Sequence, residues 1–190
     1  MKSKYPARDL ELLVQKAQKG DSEALEKIYE AFYKKIFIYI SFRVDPGEVD
    51  DLVADVFLRL VAKLKTYKYR EKFGFNAWIF RIAHNRVVDF YRKQKELYIL
   101  DDDEVGEKFH LPSDDEHPLQ KIQREWEAGK IREILSQLSP LNREIIELKF
   151  LEDFSNYEIS HITGKSEGNI RVIQLRALRE LRKYFGEKEG

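Results

Sequence analysis

Aromatic and basic side chains alternate through residues 67–93, a pattern suited to binding nucleic acid whose bases have left the duplex. The segment contains eight aromatic and seven basic residues against only two acids, Glu71 and Asp89. Lysine and arginine neutralise phosphates, whereas aromatic rings stack on unpaired bases. A protein that reads only closed duplex DNA has little use for so many rings beside its cations. The segment therefore predicts contact with opened or single-stranded nucleic acid.

A helix predicted over about 74–94 would sort these side chains onto two faces. Its apolar stripe is formed by Ile79, Ile82, Ala83, Val87 and Phe90, and its other side carries Arg81, Asn85, Val88 and Arg92. The amide of Asn85 can hydrogen-bond a base edge, and the two arginines suit phosphates. We expect Phe75 and Asn76, at the start of this helix, to form a pocket or wedge. Trp78 fits a core role and a stacking role equally well.

Residues 155–185 have the layout of a helix-turn-helix. Ser155 and Glu158 form a capping box, Gly164 suits the end of the first helix, and Ser166 can cap the second. The second helix has an apolar face of Ile170, Ile173, Ala177, Leu181 and Tyr184, and an opposite face of Gly168, Arg171, Val172, Leu175, Arg179 and Arg182. The arginine face predicts entry into a DNA major groove. A solvated basic helix on a helical bundle would show a similar pattern.

A helix predicted over about 49–65 presents a different kind of surface. Its apolar face centres on Leu52, Val56, Phe57, Leu60 and Leu64, and roughly opposite lie Asp51, Asp55, Leu58 and Ala62. An acidic face with an exposed leucine does not suit DNA, but it suits a basic protein partner. The alternative is a solvated face with one stray leucine, which is common on protein surfaces.

The elements that position these side chains are all predicted to be helical. Further helices are expected over about 8–19, 22–43, 121–137 and 141–151, the last opened by Pro140. The helix over 22–43 is capped by Ser22, carries an apolar stripe of Leu25, Ile28, Tyr29, Phe32, Ile36 and Ile40, and is followed by a turn at 45–47. Residues 96–120 are acidic, contain Gly106, Pro112 and Pro118, and lack a sustained period. The sequence therefore predicts an all-α protein of two small domains. These are an N-terminal helical bundle (1–95) and a C-terminal helix-turn-helix domain (121–190), joined by an acidic linker (96–120).

Composition and charge further limit the classes of function that fit the sequence. The net charge is zero, but residues 101–118 contain eight acids and one base, so the remainder of the chain is net basic by seven. There is no cysteine, and the four histidines lack metal-ligand spacing. We therefore expect no metal, no cofactor and no enzymatic activity. No apolar run is long enough to cross a membrane, so we expect a cytoplasmic protein without membrane insertion.

The order of these parts resembles one family. Residues 50–59 (DDLVADVFLR), then 75–89 (FNAWIFRIAHNRVVD), then the terminal helix-turn-helix are similar to the extracytoplasmic-function (ECF, group IV) sigma factors of bacterial RNA polymerase. The resemblance covers about residues 8–95 and 121–185. It implies an alternative sigma factor that binds core polymerase and directs transcription from specific promoters through their −10 and −35 elements.

The resemblance also implies roles for individual positions. The residues implied to contact the clamp helices of the polymerase largest subunit are Asp51, Asp55, Phe57, Leu58 and Arg59. The residues implied to melt and read the −10 element are Phe75, Asn76, Trp78, Arg81, Asn85 and Arg92. Among them, Asn85 is implied to lie beside a flipped base. The residues implied to read the duplex −35 element are Lys165, Ser166, Gly168, Asn169, Arg171, Val172, Leu175, Arg176 and Arg179.

Distances along the promoter constrain the linker. In this family the two elements lie about 25 base pairs apart, or roughly 85 Å. Residues 96–120 can stretch to roughly 85 Å, whereas a relaxed coil of that length spans only about 25–30 Å. The resemblance implies that polymerase supplies an extended path near its active cleft, so we expect the free protein to bind promoters poorly.

Three questions remain open from the sequence. Several family members are held inactive by an anti-sigma factor, and this chain could have such a partner. A stand-alone helix-turn-helix regulator would bind duplex DNA tightly without polymerase, but it would leave the aromatic block unexplained. A sigma mimic that only titrates a regulatory protein would tolerate alanine at Asn85 and Arg171.

Overall fold

Every regular element of the computed structural model is helical across the residues that the structure describes, 6–69, 73–99, 133 and 135–188. The N-terminal helices are α1 (Ala7–Gln18), α2 (Ser22–Ser41), α3 (Pro46–Leu64) and α4 (Gly74–Ile99). The C-terminal domain contains α5 (Pro140–Ile146), a π-helical turn (Glu147–Leu151), α6 (Asn156–Thr163) and α7 (Glu167–Lys188). The predicted all-α architecture of two helical domains is confirmed.

Several helix ends differ from the predicted ones. Asp21, not Ser22, caps α2, and its side chain accepts a hydrogen bond from the Ala24 amide at 3.0 Å. Both residue types cap well, so the pattern alone could not choose between them. Pro46 lies in the first turn of α3 instead of in a separate turn, because its fixed φ suits a helix start. The fourth helix extends to Ile99, five residues past its expected end and into the segment assigned to the linker.

The N-terminal domain packs the predicted stripes against one another. On α2, the inward side chains of Ile28, Phe32, Ile36 and Ile40 are almost completely buried. They meet the apolar face of α3, whose five predicted core residues are also buried. Tyr29 was expected in the same stripe, but it is 46% exposed, and its ring packs 4.6 Å from that of Phe57. These contacts fix the rigid base from which α4 projects.

The C-terminal domain follows its local signals closely. Ser139 caps α5, with Pro140 in the first turn. At α6 the capping box is complete, because the Ser155 amide donates to Glu158 at 2.8 Å while Ser155 Oγ accepts from the Glu158 amide at 3.2 Å. Gly164 ends α6 at φ 71°, a left-handed conformation that glycine adopts without strain. The helix-turn-helix prediction is therefore confirmed in its geometry.

The two domains share one continuous apolar core. Phe80 on α4 meets Phe154, which follows the π-helical turn, with ring centroids 5.1 Å apart. Tyr39 on α2 packs edge-on against Phe80 at 5.4 Å. Ile159 on α6 and Ile170 on α7 are fully buried and belong to the same cluster. The domains are thus in direct contact, an arrangement that the sequence did not predict.

Part of the sequence prediction lies outside the described residues. The acidic run 101–118 falls there, as does most of the helix predicted over about 121–137, of which residues 133, 135 and 136 are described and helical. Within the described part of the chain, no helix is long and apolar enough to span a membrane.

Candidate nucleic-acid interface

A cavity of about 370 Å³ lies between the end of α3, the connection that follows it and α4. Its wall includes Lys63, Thr66, Tyr67, Lys68, Phe73, Gly74, Trp78, Arg81, Ile82, Asn85 and His161. The wall therefore combines three aromatic rings, one amide and several cations. Such a lining can stack a base, hydrogen-bond its edge and neutralise the adjoining phosphate.

Aromatic packing supports the floor of this cavity. The ring of Tyr67 lies 4.9 Å from that of Trp78 and 5.2 Å from that of Phe75. Trp78 is half-buried, so it packs on the core and lines the cavity at once. Burial, with a smaller contribution from the Glu11 carboxylate, raises the pKa of Tyr67 and keeps its hydroxyl protonated.

Phe75 does not fit the predicted pocket or wedge. Its side chain is only 2% exposed and packs edge-on against Phe32 at 5.7 Å. In this conformation it supports the cavity from below and cannot itself stack on a base. Asn76 beside it is half-buried, and its buried Oδ1 atom has no hydrogen-bond partner among the residues that the structure describes.

Gln18 is a positioning residue that the sequence did not single out. From the end of α1 its Nε2 atom donates to the carbonyl oxygens of Leu64 at 2.9 Å and Tyr67 at 2.7 Å. These bonds satisfy a carbonyl at the C-terminus of α3 and fix the connection that forms one wall of the cavity. A lone glutamine at a helix end carries no recognisable sequence signal, because its partners lie 46 and 49 residues away.

The outer face of α4 is arranged largely as predicted. Arg81, Asn85, Val88 and Arg92 are all exposed, and Val88 reaches 49%. Asn85 and Arg81 also line the cavity, whereas Val88 and Arg92 continue along the helix away from it. The structure thus brings the predicted base-reading amide together with Trp78 and Arg81, while Arg92 lies further along the helix.

The first helix of the helix-turn-helix reaches this same site. Phe73 stacks on Tyr157 with ring centroids 4.7 Å apart and lies 3.9 Å from the ring of His161. Arg81 Nη1 is 3.0 Å from His161 Nδ1. Tyr157 and His161 were not among the predicted site residues, because each is an ordinary surface residue of a short helix when read from sequence alone.

The outer face of α3 offers a separate surface. Leu58 is 70% exposed, the most exposed of the large apolar side chains in the described chain, and Asp51 is also exposed. The Asp55 carboxylate is only partly available to a partner protein. Its Oδ1 atom lies 3.3 Å from Arg59 Nε on the same helix, and its Oδ2 atom forms an ion pair with Arg86 on α4. Phe57, predicted for the same surface, is 8% exposed and packs in the core. The accessible surface is therefore Leu58 with flanking acids.

The second helix of the helix-turn-helix presents the predicted basic face. Ile170, Ile173 and Ala177 are buried, as the pattern indicated. The exposed side carries Gly168, Asn169, Arg171, Val172, Leu175, Arg176 and Arg179. Ser166 caps the helix by accepting from the Asn169 amide at 3.3 Å, and Lys165 beside it is half-buried. An exposed helix N-terminus with arginines and small residues suits a major groove.

Family comparisons match both halves of this arrangement. Sigma-70 region 2 matches residues 28–96, and Sigma-70 region 4 matches residues 128–181. The RNA polymerase sigma factor SigZ of Bacillus subtilis is 31% identical over 143 residues, covering 75% of this chain and 76% of SigZ. The ECF RNA polymerase sigma factor SigM of the same organism is 25% identical over 166 residues, covering 85% of this chain and 94% of SigM.

A longer relative matches more of the chain. The ECF RNA polymerase sigma factor BldN of Streptomyces coelicolor is 29% identical over 177 residues. The match covers 92% of this chain but only 65% of BldN, so the chain spans about two thirds of that relative.

Solved structures share the fold. CnrH, solved in complex with the cytosolic domain of CnrY, has a TM-score of 0.65 at 20% identity, covering 93% of this chain and 96% of CnrH. The sigma factor RpoE of Bartonella quintana, solved with the anti-sigma factor NepR, has a TM-score of 0.66 at 23% identity, covering 85% and 96%. With two sigma-70 regions matched in order and relatives of this kind, the chain belongs to the ECF sigma factors of the sigma-70 family, non-enzymatic factors that direct RNA polymerase to promoters.

Proposed function

We propose that the chain is an alternative sigma factor whose N-terminal domain opens and reads the −10 element while its C-terminal domain holds the −35 duplex. The observation that carries this proposal is the cavity at the start of α4, where Trp78, Arg81 and Asn85 converge. A flipped base there would stack on an aromatic ring and hydrogen-bond the Asn85 amide. Stacking of this kind contributes about 1–3 kcal/mol per base, which offsets the cost of opening the duplex.

The exposed face of α7 supplies duplex binding in this mechanism. Arg171, Arg176 and Arg179 would contact phosphates or guanine edges, and Val172 and Leu175 would meet thymine methyl groups. The role of Asn169 and Gly168, at the helix start, is to let the backbone approach the groove closely.

Core polymerase is the partner proposed for α3. Leu58 is an exposed apolar residue beside the acidic Asp51, a combination that suits a basic helical surface such as the clamp helices. Asp55 and Arg59 would contribute at the edge, and Phe57 would support them from the core. The work of such a protein takes place on cytoplasmic polymerase, so we propose a cytoplasmic location. An anti-sigma factor is a further possible partner.

Transcription by core polymerase tests the proposal directly. Bacterial core polymerase would be incubated with genomic DNA with and without the protein, and new 5′ ends would be sequenced. We expect protein-dependent starts that share two upstream motifs. Absence of starts despite core binding would favour a sigma mimic, and absence of core binding would favour a stand-alone DNA-binding protein.

A further inference from the structure

The last residue of α1 reaches the candidate nucleic-acid interface from behind the cavity wall. Gln18 Nε2 donates to the carbonyl oxygens of Leu64 at 2.9 Å and Tyr67 at 2.7 Å. One amide group, with its two hydrogens, therefore holds both ends of the turn 64–67 that follows α3. The same turn is closed from within by a hydrogen bond from the Tyr67 amide to the Leu64 carbonyl at 3.1 Å.

The helix that presents this side chain is firmly anchored. Leu10 and Val14, on the inward face of α1, are almost completely buried in the core of the N-terminal domain. Directly after the helix, Gly20 adopts φ 94°, and its amide donates to the Ala17 carbonyl at 3.0 Å. A left-handed residue here turns the chain sharply, and only glycine does so without strain. The Gln18 amide is thus fixed by a rigid helix end.

The turn that Gln18 holds carries part of the cavity wall. Lys63, Tyr67 and Lys68 all line the cavity, and the two lysines flank the turn on either side. The ring of Tyr67 lies 4.9 Å from that of Trp78, so it supports the ring that faces the cavity. A displaced turn would therefore move two cations that suit phosphates and loosen one ring that suits a base.

A purely structural role for Gln18 is the alternative. The last carbonyls of a helix lack partners within the helix, and a side chain that satisfies one adds stability anywhere in a protein. Two observations favour a role at the site. The Leu64 carbonyl also accepts from the Tyr67 amide, so it would keep one partner without Gln18. The shorter of the two Gln18 bonds goes to Tyr67, beyond the end of α3.

We propose that Gln18 is a positioning residue for strand capture, acting through the turn 64–67 instead of through a contact with DNA. Its amide keeps Lys63, Lys68 and the Trp78 ring facing one cavity. A preorganised site binds more tightly, because its side chains lose less freedom on binding. This inference rests on the proposed function for the identity of the ligand, an unpaired base with its phosphate. The coupling between Gln18 and Trp78 does not depend on that function.

Two substitutions separate the donors of Gln18 from its bulk. Gln18→Met keeps the length of the side chain and removes both donors. Gln18→Lys retains donors near the C-terminus of α3, where a cation is favourable. Gln15→Met is the matched control, because the Gln15 side chain is exposed on the same helix and interacts with Glu11 instead of with the turn. All three are made in the full chain with Trp126→Phe, which leaves one tryptophan, Trp78.

The fluorescence of Trp78 is the first readout, and it requires no assumption about function. Acrylamide quenching, measured well below the unfolding temperature of each variant, reports how closely the ring is packed. We expect faster quenching in Gln18→Met, and quenching like that of the unmodified chain in Gln18→Lys and Gln15→Met. Unchanged quenching in Gln18→Met would overturn the coupling between Gln18 and Trp78. Equally fast quenching in Gln18→Met and Gln18→Lys would overturn the role of the donors.

Promoter opening is the second readout, with each variant bound to bacterial core polymerase. The probe is a promoter identified with the unmodified protein, and the permanganate reactivity of its −10 thymines measures opening. We expect opening to fall about tenfold in Gln18→Met, as when one base loses its stacking partner, and to be retained in Gln18→Lys. Duplex −35 binding should be unchanged in both.

The two readouts separate failure of this inference from failure of the proposed function. Unchanged opening in Gln18→Met, despite faster quenching of Trp78, would overturn the role of Gln18 in strand capture. Absence of protein-dependent opening with the unmodified chain would contradict the proposed function, and the strand-capture role with it. The quenching result would then still decide whether Gln18 positions Trp78.

Discussion

The two helices proposed to face DNA, α4 and α7, differ in how much of their outer surface is exposed. On α7, the side chain of Arg171 is 68% exposed, and Val172 and Leu175 are 45% and 51% exposed. On α4, the corresponding face also points outward, but Arg81 lies against His161 and the neighbouring Phe73 is stacked on Tyr157. The outer face of α7 is therefore open in this structure, whereas the start of α4 and the residue before it contact α6.

This difference follows from the chemistry of the two tasks. A basic helix that reads duplex DNA needs little apolar surface, so it can remain in water at little cost. Rings that stack on bases expose apolar area when no base is present, and covering that area by another part of the chain is favourable. A protein with both surfaces therefore gains more stability by covering the aromatic surface than by covering the basic one.

Replacement of Asn85 with alanine should produce the largest change and should affect only the α4 side of the comparison. Loss of an amide contact to a base edge costs about 1–3 kcal/mol, or roughly a 5- to 150-fold loss of promoter opening. Permanganate footprinting of polymerase with this variant measures opening. Duplex −35 binding by the same protein should be unchanged, and an equal loss in both assays would contradict the assignment.

Leu58→Ala should weaken core polymerase binding by about tenfold without affecting either DNA surface. The full burial of a leucine in an interface contributes about 1.5–3 kcal/mol, and this side chain is now 70% exposed. Titration of labelled core polymerase measures the change. Leu60→Ala is the contrasting variant, because that side chain is 1% exposed and its loss should lower the free energy of unfolding by about 2–5 kcal/mol.

Arg171→Ala should affect the α7 side alone and more weakly. If the guanidinium contacts phosphate, the affinity for duplex DNA should fall several-fold for all sequences. The slope of log affinity against log salt concentration should then decrease in magnitude by about one. If it contacts guanine, the loss should be confined to promoters with that base. Duplex binding across a salt series distinguishes the two, and unaffected binding on every sequence would exclude α7 as the groove-contacting helix.

Acid should loosen the contact between the two domains through Glu144 on α5, whose carboxylate accepts a hydrogen bond from the Tyr39 hydroxyl and lies 2.8 Å from His84 Nδ1. The pKa of Glu144 in the folded chain is about 2 against an ordinary 4.5, so its stabilising contribution is complete above about pH 4.5 and is lost as the pH falls towards 2. Burial raises the pKa values of Glu147 and Glu152, with their cations opposing, so these two groups work in the other direction on acidification. The free energy of unfolding should fall more steeply across that pH range in the unmodified chain than in Glu144→Gln. Identical curves would count against a contribution from Glu144.

The smallest effect should come from the capping box of α6, which sets the start of the helix that covers the cavity. Ser155→Ala removes the side-chain acceptor for the Glu158 amide and should cost about 1 kcal/mol of stability. Thermal unfolding followed by circular dichroism measures it. Ser136→Ala is a suitable control, because that hydroxyl donates to the Glu133 carbonyl and accepts from Gln137 Nε2 but caps no helix start. A larger loss at Ser136 would contradict the capping explanation.

Local features were largely predictable from the sequence. The stripes of α2, α3 and α4, the capping box and the glycine end of α6, and the exposed face of α7 follow from short-range periodicity and backbone preference. Where prediction failed locally, two adjacent residues were almost equivalent, as with Asp21 and Ser22, or a side chain could serve two environments, as with Tyr29. The periodicity of α3 placed Phe57 on the apolar face, where it is buried, whereas the burial of Phe75 was missed, because family position does not state which way a ring points.

By itself, the sequence determined the class of protein and the positions of the two helices proposed to face DNA, since both depend on residues within a few turns of one another. Only the tertiary structure decided how the two domains that carry these helices are positioned relative to each other. Lys35 and Glu152 are 117 residues apart, and Arg43 and Glu147 are 104 apart. No periodicity links positions so distant, so their pairing depends on the shared core of Phe80 and Phe154 that brings the domains together. That packing is also what places His161 in the wall of the cavity at the start of α4.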